Sequence, residues 1–162
     1  MRSINILTGE KGQGKSELLK EIFAQSSATS GILSLRREGD MRDFFLLSNG
    51  ATWPIQGEEG YRGPWLEVGR FRFSAAAFRK AGEELMNAAR NPEVKLLIID
   101  EIGPLELNGE GFAGILRNLL EYSSGPDLLL VVRSGLLQEV QQYFGLENAQ
   151  IATCDSLFSG FY

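Results

Sequence analysis

An eight-residue loop, GEKGQGKS at positions 9 to 16, constrains this chain more than any other feature. It follows the short apolar run Ile4 to Leu7 and precedes Ser16 to Gln25, where Leu18, Leu19, Ile22 and Phe23 recur at helical spacing. A strand that turns through a Gly-rich loop into a helix opens a strand-helix-strand unit, and such units build parallel sheets. The loop fits G-x-x-x-x-G-K-[ST] at each fixed position, through Gly9, Gly14, Lys15 and Ser16. Glycines let the backbone curl until successive amide N–H groups point inward at an anion. The helix that starts near Lys15 adds the positive end of its dipole.

This chemistry predicts a polyphosphate site built from Gly9, Glu10, Lys11, Gly12, Gln13, Gly14, Lys15, Ser16 and Glu17. Lys15 would bridge the β- and γ-phosphates, and the Ser16 hydroxyl would ligate a magnesium ion that spans them. Glu10 and Lys11 would contribute backbone rather than side chain. A match to this pattern arises by chance on the order of once per few hundred chains of this length. The flanking strand and helix are the context that the mechanism requires.

Composition sets the outer limits. The chain has 162 residues, 43% of them hydrophobic and 23% charged, which fits one domain over residues 1–162 with an ordinary core. A net charge of -5 argues against coating of nucleic acid, which needs Lys and Arg to displace counterions. With no histidine, imidazole acid-base steps, Ser-His-Asp machinery and His-ligated zinc are excluded. Cys154 is the only cysteine, no long apolar run is present and the N-terminus lacks a signal-like pattern, so a cytoplasmic protein is expected, with no membrane partner.

Further along, Gly31 to Leu35 predicts a strand, and Met41 to Gln56 a hairpin turning at Ser48-Asn49-Gly50. Gln56 to Pro64 is a Gly- and Glu-rich excursion, with one or two short strands over Trp65 to Phe73. Ser74 suits the N-cap of a helix over Ala75 to Ala89, closed by Asn91-Pro92. A helix from about Gly111 to Tyr122, a strand Leu128 to Val132, a helix Gly135 to Tyr143 and a strand near Ile151 follow. The expected fold is a three-layer α/β sandwich, a mainly parallel sheet between helices, with an antiparallel hairpin inserted after the second strand.

Val94 to Ile99 reads as a strand buried on both faces, and it ends in Asp100-Glu101. A phosphate loop needs a carboxylate across the site, at the carboxyl end of a neighbouring parallel strand. Asp100 is therefore the candidate for the metal's hydration shell, and Glu101 for the general base that activates water. A kinase must keep water from the γ-phosphate, so a poised Glu favours hydrolysis.

Together these residues resemble a small nucleoside-triphosphatase family of broad nucleotide specificity, found in thermophilic prokaryotes and in animals. The phosphate loop carries one part of the match. The other runs from Glu67 to Leu107, through EVGRFRFS, an Ala- and Glu-rich helix and LLIIDEIGPLEL. The resemblance implies a RecA-like fold and magnesium-dependent hydrolysis with loose base choice, and it supports the roles of Lys15, Ser16, Asp100 and Glu101. Two stretches depart from the family pattern: Arg133-Ser134-Gly135 replaces a Pro- and Lys-containing stretch, and CDSLFSGFY replaces an Asn-Arg pair and final helix.

Arg133, at a strand end, is a candidate to stabilise transition-state charge, against the alternative of a surface arginine. Arg117 reads as helix surface, and Arg36 and Arg37 as solvated charges at a strand end. Phe71, Phe73, Trp53 and Trp65 read as core rather than as a stacking platform. Two other uses of the same loop stay open: a small-molecule kinase, and a nucleotide-switched module with a protein partner.

Overall fold

The computed structural model describes residues 2–156. The last six residues of the divergent terminal segment, 157–162, lie outside the described residues. Nine strands and five α-helices follow one another along the described residues: β1 (Ile4–Gly9), α1 (Lys15–Phe23), β2 (Thr29–Arg36), β3 (Arg42–Leu46), β4 (Thr52–Pro54), β5 (Trp65–Val68), β6 (Phe71–Ser74), α2 (Ala75–Arg90), β7 (Leu96–Asp100), α3 (Pro104–Leu107), α4 (Ala113–Glu121), β8 (Asp127–Arg133), α5 (Leu137–Phe144) and β9 (Gln150–Ala152). Seven strands form one sheet in the order β4-β3-β2-β7-β8-β1-β9, and β5 and β6 pair as a separate antiparallel hairpin. The β2-β7, β7-β8, β8-β1 and β1-β9 pairs are parallel, whereas β2-β3 and β3-β4 are antiparallel. The expected sandwich and its hairpin insert are therefore present.

The sheet order departs from the sequence reading in one respect that matters for the site. The strand ending in Asp100 is not the immediate neighbour of the strand that feeds the phosphate loop. β8 lies between them, pairing Gly9 with Arg133 on one side and Asp100 with Val131 on the other. No local pattern of apolar residues encodes which parallel strands become neighbours, so the insertion could not be read from periodicity.

Strand alternation divides the core into two layers. Ile6, Ile32, Leu97, Ile99 and Leu130 pack with Ala81 and Leu85 of α2, Leu116 of α4 and Val140 of α5. Their sequence neighbours Leu7, Leu33, Ile98, Leu129 and Val131 turn to the other face, against Leu18, Leu19 and Phe23 of α1. Nearly continuous apolar strands follow from this burial on both faces. Truncating a fully buried leucine such as Leu19 or Leu116 to alanine costs about 2–5 kcal/mol at such positions.

Ser74 caps α2 as expected, its hydroxyl accepting from the Ala77 amide at 3.0 Å. Of the four aromatic residues read as core, Trp53 is buried and Phe73 packs partly against the first layer. Trp65 and Phe71 instead sit half-buried on the β5-β6 hairpin, under the guanidinium groups of Arg72 and Arg70. Arg117 covers the rings of Tyr143 and Phe144 rather than projecting freely. Arg37 is exposed and pairs with Asp43 at 3.6 Å, in keeping with solvated charge.

Candidate active site

The phosphate loop joins β1 to α1 through two left-handed glycines, Gly12 at φ 85° and Gly14 at φ 76°. Residues with a Cβ rarely adopt this conformation, so the two positions fix the curl of the loop. At Gly9 a Cβ would crowd Gln13 Oε1, which accepts from the Glu10 amide at 3.0 Å, so a side chain there would displace that contact. The side chains of Glu10, Lys11 and Gln13 face solvent. Glu17 stands exposed in the first turn of α1.

Lys15 is buried and folds back along the loop. Its Nζ donates to the carbonyl oxygens of Glu10 at 2.8 Å and Gly9 at 3.3 Å. The α1 N-terminus opens on the same loop with Gly14 as a cap that supplies no side chain. Its first-turn amides have no partner within the helix, which favours an anion at that end.

Ser16, one residue further on, donates its hydroxyl hydrogen to Asp100 Oδ2. The same oxygen accepts from the Ser34 amide at 3.1 Å. Asp100 is only 2% exposed, and burial pushes its pKa up to about 6, against the pull of the Ser16 hydrogen bond and with a further upward push from Glu101. The sheet thus brings together, at one edge, two residues that lie far apart in the chain. Both offer hard oxygen atoms.

Glu101 is half-buried beside Asp100, and its Oε1 accepts two hydrogen bonds from Arg133, from Nε at 3.1 Å and from Nη2 at 2.8 Å. Arg133 is therefore neither a free surface charge nor remote from the site. It reaches from the end of β8, the strand between the phosphate loop and the acid.

Two further residues belong to this edge and were missed in the sequence. Arg42, on the inserted β3, donates from Nη1 to the Ser34 carbonyl oxygen at 3.1 Å and to Ser34 Oγ at 3.3 Å, and its charge draws the Asp100 pKa down slightly. Only the pairing of β2 with β3 brings it there, so no local signal existed. Glu106 is 3% exposed; its Oε1 accepts from the Gly103 amide at 2.8 Å and its Oε2 from the Phe112 amide at 2.9 Å. Pro104 at the first turn with Glu at the third position was a legible helix start, and the four-residue α3 follows from it. Burial pushes Glu106 up to about 7, opposed by those two amides.

A loop of this form at the end of β1, with an acid one strand removed, defines a phosphate-loop nucleotide-binding protein. A profile of the NTPase family matches residues 5–155. The chain belongs to that family. It is 28% identical over 145 residues to the nucleoside-triphosphatase THEP1 of Methanosarcina barkeri (strain Fusaro / DSM 804), covering 84% of this chain and 80% of that protein. Its fold is similar to the crystal structure of THEP1 from the hyperthermophile Aquifex aeolicus, with a TM-score of 0.68 and 21% identity, covering 95% of this chain and 90% of that one.

Proposed function

We propose that the chain hydrolyses nucleoside triphosphates to diphosphate and phosphate with magnesium, with loose choice of base. The observation that carries this reading is the hydrogen bond from Ser16, at the end of the phosphate loop, to Asp100, with Glu101 the next residue after it. A hydroxyl and a carboxylate are few protein ligands, yet they suit magnesium, which keeps several waters and takes the rest of its shell from phosphate oxygens. Ser16 would hold the ion directly and Asp100 through its water. When bound, the ion offsets charge on the β- and γ-phosphates.

In this reading the Gly12–Gly14 amides and Lys15 bind the phosphates, and Lys15 exchanges its loop carbonyls for phosphate oxygens. Glu101 takes a proton from water as the water oxygen bonds to the γ-phosphorus. The bond from that phosphorus to the bridging oxygen breaks, and its electron pair leaves with the diphosphate. The guanine-reading Asn/Thr-Lys-x-Asp pattern is absent from the second half of the sequence, so nothing there points to strict GTP specificity.

The test is phosphate release from each of the four common nucleoside triphosphates, with magnesium or EDTA, in the unmodified protein, Lys15→Ala and Glu101→Gln. Turnover with all four, lost with EDTA, is expected. Glu101→Gln should reduce it by about 10²–10⁴-fold, the usual weight of a general base. Nucleotide binding without release, relieved by a small acceptor molecule, would point to a kinase instead.

A further inference from the structure

Arg133 and Glu101 meet at the ends of two neighbouring strands, and they meet unevenly. Two donors of the guanidinium, Nε and Nη2, fall on a single carboxylate oxygen, Oε1. The two donors anchor Oε1 on the guanidinium, while the second oxygen, Oε2, takes no hydrogen bond from the described residues and is the one left to meet a water. The Cα of Arg133 is also the register partner of Gly9, the first residue of the phosphate loop. The fork therefore spans from the strand beside the loop to the acid on the next strand. An ion pair whose side chains are 35% and 31% exposed adds little to stability, so stability is a weak reason for such a geometry.

We infer that Arg133 is the positioning residue of the general base: by gripping Oε1 of Glu101 it turns Oε2 toward the water that attacks the γ-phosphate. This rests on the reading of Glu101 as base given above. Arg133 then acts through Glu101 rather than on the phosphate, and its removal lowers turnover without weakening substrate binding. A misdirected base is costly because catalysis depends on alignment to within a fraction of an ångström.

A kinetic double-mutant cycle on the full chain tests this, with magnesium and ATP as the probe. Arg133→Gln should lower kcat by about 10- to 100-fold and change KM by less than about threefold, since alignment and not binding is lost. In the Glu101→Gln background the same change should cost less than about twofold, because the group it serves is gone. An equal fold-loss in both backgrounds would mean that Arg133 works on the phosphate itself, and would overturn the inference. Arg133→Lys keeps the charge but not the fork, so full turnover in that variant would overturn it as well. Free guanidinium added to Arg133→Ala should restore part of the rate when Glu101 is present and none when it is Gln; this readout depends on a folded protein and excludes a folding defect as the cause. Full turnover in Glu101→Gln alone would remove the base reading first, and it is told apart because it is seen before Arg133 is touched.

Discussion

Asp100 and Glu106 lie within one short segment, both almost wholly buried and both pushed up in pKa by that burial, yet the regions around them differ in kind. Asp100 meets one backbone amide and one rotatable hydroxyl, and it stands where the phosphate loop opens. Glu106 spends both oxygens on backbone amides, those of Gly103 and Phe112, and stitches the chain between β7 and α4. A hydroxyl can turn to another partner, whereas an amide fixed in the main chain cannot. Burial and pKa direction alone therefore do not separate these two acids; the freedom of their partners to turn does.

Four measurements would break or sharpen this contrast. Asp100→Asn is expected to cut turnover by about 10²–10³-fold, the scale of losing one preorganised electrostatic contact. Its melting temperature should hold or rise, because the amide's carbonyl oxygen can still accept from both Ser34 and Ser16 and the substitution removes a buried charge. A stability loss as large as that of a core truncation would make Asp100 structural too. Glu106→Ala is expected to cost about 2–4 kcal/mol in chemical denaturation, since two buried amides lose their partner. Unchanged stability there would sink the structural assignment.

The pH dependence of stability follows from the direction of the Glu106 shift. An acid raised from 4.5 to about 7 on folding binds its proton more tightly in the folded state. Its contribution is thus fully present below pH 4.5 and is lost as pH rises to about 7, by on the order of 3 kcal/mol. Asp100 acts with the same sign between 3.8 and about 6. Denaturation midpoints from pH 4 to 8 should fall more steeply for the unmodified protein than for Glu106→Gln; parallel curves would remove Glu106 as the source. The smallest effect is a control in neither region: Arg117→Ala, which uncovers the Tyr143 and Phe144 rings, should cost about 0.5–1 kcal/mol and leave turnover intact.

The same contrast explains what could be read from the sequence. The phosphate loop, the strand ending in Asp100 and the Ser74 cap are local signals, each set by residues a few positions apart, and each forms where expected. Some boundaries moved slightly: the strand ending in Asp100 starts at Leu96 rather than Val94, β2 begins at Thr29, and α5 starts at Leu137 after a 3₁₀ turn over Ser134–Leu136. What could not be read is pairing. The place of β8, the arrival of Arg42 through β3 and the grip of Arg133 on Glu101 depend on which strands become neighbours and in which register. Glu106 is an intermediate case, since its spacing from Pro104 was visible but its second partner, Phe112, was not.

The position of β8 also carries a mechanical consequence. Because its register sets Gly9 against Arg133 and Asp100 against Val131, a single strand gauges the separation between the anion cradle and the acid that faces it. Adjacent strands run about 4.8 Å apart, so the two halves are held roughly two such spacings apart. Slippage of β8 by one residue would misalign both halves together and turn its buried side chains to the wrong face. Substitutions at Val131 or Leu129, both buried in the core, are therefore expected to detune turnover through the gauge alone.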